Sequence, residues 1–218
     1  MNDRLPVRDE LYLLAHNESG KPLIAMPLLG LGLAAALLIE LTMSRHVDVD
    51  FDKVVTRPQP ANFSQRSLSS IANNALSELY RSRNRPPSPV NVLLVWSEDI
   101  YERVRGELLA ANLVSPITVR RFGLLSGTEY RSDEAAIVRS RTALRRVVMS
   151  EASPSAEDAA LCGLLVDLQL ERSLHLNVNA GWLRQMLKSI GARQPIPIRR
   201  IVDALTEAVR YKSTHGTI

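Results

Sequence analysis

The chain's longest apolar run, Leu23 to Ile39, carries no charge and is followed at once by Glu40, Leu41 and Met43. Its length is near the roughly 18 apolar residues that a spanning helix needs. Pro27, Gly30 and Gly32 fall early in the run, so a regular helix is expected only from about Leu28 to Met43. Glu40 breaks the apolar stretch, and the rest of the chain carries apolar faces of its own, as a packed core requires. The pattern therefore predicts a buried central helix, with the two glycines serving close helix packing.

Around this segment the periodicity is mostly helical. Pro6 opens a short apolar helix through Ala15, and Asn17 to Gly20 is a turn. His46 to Asp50 alternates with period two and Lys53 to Thr56 returns, which predicts a β-hairpin. Ser64 is expected to cap a helix carrying Leu68, Ile71, Ala75 and Leu79. The proline-rich stretch Arg83 to Pro89 reads as a surface loop. Ser97 is expected to cap a helix running to about Asn112, followed by a strand over Ile117 to Phe122, a Ser126-Gly127 turn and a partial return to Tyr130. Ser132 is then expected to cap a helix ending near Met149, and a helix apolar almost all round should span Ala156 to Leu174. Trp182, Leu183, Met186 and Leu187 share a face of the next helix, ended by Gly191. A last helix carries Ile198, Ile201, Val202, Leu205 and Val209. No internal repeat is visible. The expected fold is mainly α: one compact multi-helix domain over 1–218, with its core at about 5–212 and one or two small β-hairpins.

The 45% hydrophobic content supports such a core. The opening residues mix both charges without an apolar centre, so no signal peptide is expected there. Cys162 is the sole cysteine and lies in an apolar run, which points to a small core residue in a reducing compartment. The net charge is +4, with 23 Arg against 4 Lys. Guanidinium groups suit phosphate-bearing partners, although a GC-rich genome would produce the same bias.

Catalytic patterns do not emerge. His16, His46, His175 and His215 have no metal-ligand spacing to one another or to Cys162, and no phosphate-binding glycine loop or nucleophile elbow occurs. No metal and no cofactor is expected. Asp48/Asp50 and Glu157/Asp158 sit on a turn and a helix start, where solvation or capping accounts for them.

The order of segments resembles the Golgi phosphoprotein 3 family, which has bacterial, especially actinobacterial, members. The similarity runs from Leu5–Ala15 through Gly20-Lys21 and the Gly32–Leu41 segment with its Glu-Leu pair, then Arg103–Val114, Phe122–Leu125, Tyr130–Asp133 and Leu161–Leu174. It covers nearly the whole chain. The resemblance implies a cytoplasmic, peripherally membrane-associated, non-catalytic protein that binds phosphatidylinositol 4-phosphate and can self-associate through a protruding hairpin. The family's headgroup site uses a Trp and an Arg near the central helix and two Arg at the start of the helix before the hairpin. Those positions are Ala25, Ala34, Glu98 and Tyr101 here, so none is carried over.

The nearest replacements for the headgroup are Arg103, Arg105, Arg120 and Arg121; Phe122, Leu124, Leu125 and Tyr130 are the candidates for membrane contact or self-association. The expected partner is an anionic membrane lipid, a phosphoinositide among the candidates, with a second copy meeting the hairpin. A nucleic-acid-binding or regulatory module is the alternative, since Arg139, Arg141, Arg145 and Arg146 make a basic helix. Those arginines lie around the helix instead of on one stripe, with no aromatic stacking platform beside them. A purely structural interaction protein without a ligand is the third reading.

Overall fold

In the computed structural model, which describes residues 4–58, 68–121 and 125–215, helices dominate. The helices are α1 (Val7–Leu14), α2 (Met26–Met43), α3 (Ser70–Arg81), α4 (Pro89–Trp96), α5 (Ile100–Ala110), α6 (Glu134–Val148), α7 (Ala156–Asp167), α8 (Ala180–Gly191) and α9 (Ile196–His215). Two antiparallel hairpins interrupt them, β1 (Val47–Asp50) with β2 (Lys53–Thr56) and β3 (Val114–Arg121) with β4 (Leu125–Ser132). The expected mainly helical class is the observed one.

At the centre lies α2, which meets α1, α3, α4, α5, α7, α9 and β1. Its residues Leu29 to Ile39 are all buried, and 67% of its most apolar window is enclosed by the rest of the fold. By length and composition it could cross a membrane, yet here it is the core helix. Leu31, Leu33, Leu37, Leu38 and Ile39 point in different directions around it, so a helix apolar on every side requires neighbours on every side. The glycines permit this. A Cβ on Gly30 would come within 2.6 Å of the Ser97 carbonyl oxygen, and one on Gly32 would overlap the Leu168 side chain. The same device joins α7 to α8, where a Cβ on Gly191 would lie 3.1 Å from the Gly163 backbone.

Several boundaries differ from the sequence expectation, each for a local reason. Pro89 is the first residue of α4, with the Ser88 hydroxyl accepting from Asn91 N at 3.3 Å, so the proline-rich stretch ends by starting a helix. Ser97 closes α4 instead of opening α5; its hydroxyl donates to Leu94 O at 2.8 Å and receives Lys212 Nζ at 3.0 Å. Ser69 caps α3, accepting from Ala72 N, and Leu68 lies just before that helix. Ser64 falls outside the described residues. Ser132 ends β4, and the cap of α6 is its neighbour Asp133, which accepts from Ala136 N at 2.7 Å.

Pairing of Arg121 with Leu125 places Ser126 and Gly127 inside β4, opposite Arg120 and Val119, so they are not the turn. The helix expected to reach Leu174 stops at Asp167, because Gln169 is left-handed at φ 56 and Leu170 N returns to Leu165 O at 2.8 Å. Leu170 and Leu174 are nonetheless buried, around a 3-10 turn over Glu171–Leu174. Of the face expected on α8, Leu183 and Leu187 are buried, together with Ile190, whereas Trp182 is 41% exposed. Cys162 is buried, and burial pushes its thiol up to about 12, as an inert core residue should be.

Candidate functional site

The best-defined polar constellation near the second hairpin is assembled from α1, α5 and the base of β4. Tyr12 from α1 stacks on His16 with ring centroids 4.1 Å apart, and Tyr101 from α5 stacks on Tyr12 at 5.3 Å. His16 Nδ1 lies 2.6 Å from the Tyr12 carbonyl oxygen, which can only accept, so Nδ1 carries the proton. Burial holds the His16 pKa below its ordinary value, so the ring is neutral and Nε2 accepts from the Tyr101 hydroxyl at 2.9 Å. Burial likewise raises the Tyr12 phenol. These groups are locked as neutral partners of one another, which makes them a scaffold.

Arg105 closes the stack. Its guanidinium lies 4.0 Å from the centre of the Tyr130 ring and 5.6 Å from that of Tyr101, and it pairs with Glu102. Tyr130 is half-buried against the main core, so this arginine ties the hairpin base to α5. The loop before α2 completes the joint. Asn17 Oδ1 accepts from Ser19 N at 3.0 Å and Lys21 N at 2.9 Å, and Gly20 is left-handed at φ 77. A Cβ on Gly20 would overlap the Tyr130 carbonyl oxygen. Beyond it, Leu23 and Met26 stand 45% and 42% exposed at the entrance to α2.

Of the arginines singled out in the sequence, Arg103 and Arg105 are both on α5 and both partly covered, with Arg103 lying 3.5 Å from Asp99. Pairs whose acid is largely exposed, as both are here, contribute only about 0–1 kcal/mol. Arg120 and Arg121 are the last residues of β3, opposite Ser126 and Leu125. Phe122 and Leu124 lie outside the described residues, and Leu125 opens β4. Tyr130, grouped with them in the sequence, is part of the hairpin's footing. Of the four positions that the resemblance aligns with the family's headgroup site, Ala34 is fully buried, Glu98 is exposed, Tyr101 belongs to the stack, and Ala25 is the N-cap residue of α2.

A second buried network was missed in the sequence. Arg8, 3% exposed, pairs with Glu40, reaches Glu107 at 2.8 Å and Ser69 Oγ at 2.9 Å, and lies 3.5 Å from Asp9. Arg8 N also donates to Glu40 Oε1 at 2.8 Å. The network cross-links α1, α2, α3 and α5. Its signal was a lone acid at the end of one apolar helix and a lone base within another, which can share an interior only as a pair.

The family model described as Golgi phosphoprotein 3 (GPP34) matches residues 7–210, which is nearly the whole chain. The chain belongs to the Golgi phosphoprotein 3 family. No curated protein matches it.

Proposed function

We propose that this chain is a non-enzymatic, peripheral membrane-binding protein acting as a single domain, which meets an anionic lipid surface with the face that carries α5 and the β3–β4 hairpin. Family membership supports the class, because the family is one of phosphatidylinositol 4-phosphate-binding peripheral membrane proteins and is not known for catalysis. The observation that carries the reading for this face is the Arg105–Tyr130 contact at 4.0 Å. It joins the base of the hairpin to α5, which supports a shared face through which the cations Arg103, Arg120 and Arg121 and the apolar Phe122, Leu124 and Leu125 would meet a bilayer. Attachment is largely electrostatic, each basic residue near an anionic surface contributing about 1 kcal/mol. Headgroup preference is weak, since Ala25, Ala34, Glu98 and Tyr101 stand where the family has its Trp and three Arg. The hairpin also offers contact to a second copy.

Cosedimentation with vesicles tests this directly. Binding is expected to vesicles containing phosphatidylserine, to fall from low to physiological salt, and to be absent from phosphatidylcholine alone. Arg120→Ala/Arg121→Ala is expected to lower it several-fold. Equal binding to neutral and anionic vesicles, or indifference to salt, would remove the electrostatic basis. Tight, salt-resistant selection of one phosphoinositide would show a shaped pocket instead.

A further inference from the structure

A recess of about 400 Å3 opens between the chain's N-terminal segment, α6 and the turn leading into α7. None of its lining residues belongs to α5 or the β3–β4 hairpin. Three guanidinium groups line it, from Arg4, Arg139 and Arg146, against two carboxylates, from Glu10 and Asp158. Arg4 already holds both acids, at 3.0 Å and 2.7 Å, and donates to Ser155 Oγ at 2.7 Å. Arg139 and Arg146 make no ion pair or hydrogen bond with any other described residue. The recess therefore holds two uncommitted cations beside a cluster in which the one guanidinium of Arg4 already faces two carboxylates, which leaves the lining as a whole with a formal positive excess.

Their placement is also suited to one ligand. Seven residues apart on α6, Arg139 and Arg146 lie on one face, about 10 Å apart along the helix axis, within the combined reach of two long side chains. Ser140, buried between them in sequence, and Ser153 add hydroxyl groups to the lining, while Leu5, Ala143 and Ala152 add apolar surface. Guanidinium forks match the oxygens of a phosphate bidentately, which a point charge does not do. We propose that this recess is a second anion site, taking a phosphate monoester between Arg139 and Arg146. It stands independently of the membrane reading, because it shares no residue with that face.

Two arms test the site and distinguish a free phosphate compound from a lipid headgroup. In the first, inorganic phosphate is titrated against sodium chloride of matched ionic strength, with binding read by calorimetry and by the shift in melting temperature. Wild type is expected to bind, and Arg139→Ala/Arg146→Ala to bind at least about tenfold more weakly, since each lost charged hydrogen bond weakens binding by about that factor. Arg145→Ala, on the same helix but outside the recess, is expected to behave as wild type. Both mutated arginines are exposed, so the double variant should melt as wild type does in chloride. In the second arm, vesicles containing phosphatidic acid replace the phosphate. Weaker sedimentation of the double variant assigns the site to a lipid headgroup, and unchanged sedimentation with phosphate binding lost assigns it to a soluble phosphate compound. The site is overturned if the double variant matches wild type in both arms, or if Arg145→Ala weakens binding equally.

Discussion

Gly20 shows how much can depend on one missing Cβ. Its φ of 77 is strained for other residues, and the Tyr130 carbonyl oxygen occupies the space that a side chain would need. Gly20→Ala should therefore lower the melting temperature clearly, by separating the loop before α2 from β4. Gly127→Ala, with no atom within 4 Å of the added Cβ, should leave it nearly unchanged. Equal effects of the two changes in a thermal melt would contradict the packing described. The Arg8 network makes a different prediction. Burial is the largest influence on both acids, pushing Glu40 up to about 7 and Asp9 up to about 6 despite the guanidinium beside them. An unfolded glutamate titrates near roughly 4.3. Between roughly 4.3 and about 7 the unfolded chain has released the proton that folded Glu40 keeps, so the unfolded state binds fewer protons and stability falls as pH rises. Glu40→Gln cannot titrate and leaves Arg8 paired with Glu107. Its unfolding free energy in denaturant should be flatter across that window than that of wild type. An unchanged slope would place the proton elsewhere.

At the scale of elements, α2 was legible because composition alone decided it: a helix apolar all round needs a shell of other helices. Leu37 is 1% exposed, and an unpaired carboxylate there costs several kcal/mol against a total stability of about 5–15 kcal/mol. Leu37→Asp is therefore expected to abolish cooperative unfolding, as monitored by circular dichroism. Helix ends were harder to read. Four helices finish with a left-handed residue that is not glycine, at Arg45, Asn112, Ser150 and Gln169. In each case the next amide returns to the carbonyl five residues back, as His46 N does to Leu41 O at 2.9 Å. Only tertiary packing shows that such residues stop a helix, which is why the segment after Ala156 was read too far. Adjacent candidates for a cap misled in a similar way. Ser132 and Asp133 both suit an N-cap, and the strand register, which puts Ser132 opposite Val114, leaves the role to Asp133. The α4 helix is hidden in the sequence because its first-turn proline reads equally well as a loop residue.

At the scale of the whole molecule, the candidate surface was only half visible in the sequence. Charge marked Arg103, Arg105, Arg120 and Arg121 for the headgroup and apolar character marked Phe122, Leu124, Leu125 and Tyr130 for contact, but one strand carries side chains to opposite sides, so sequence proximity cannot tell footing from tip. Tyr130 packs against the core and under Arg105, and the aromatic stack beneath it joins residues as distant in sequence as His16 and Tyr101. The hairpin therefore divides into a base that contributes to stability and a tip proposed to make contact. That division is testable by two variants measured in parallel. Tyr130→Ala removes a half-buried ring and the platform for Arg105, so it should lower the melting temperature by several degrees. Leu124→Ser/Leu125→Ser changes Leu125, which opens β4 opposite Arg121, and Leu124, which lies outside the described residues. If the tip is a contact surface, this variant should melt within about a degree or two of wild type, as substitutions outside a core do. Its sedimentation with phosphatidylserine vesicles, or its self-association in analytical ultracentrifugation, should fall. Exposed apolar patches usually mark contact sites, which is the ground for testing this pair. A large loss of stability in the leucine variant, with vesicle binding and association intact, would instead make those leucines part of the core and leave the arginines alone to carry the attachment.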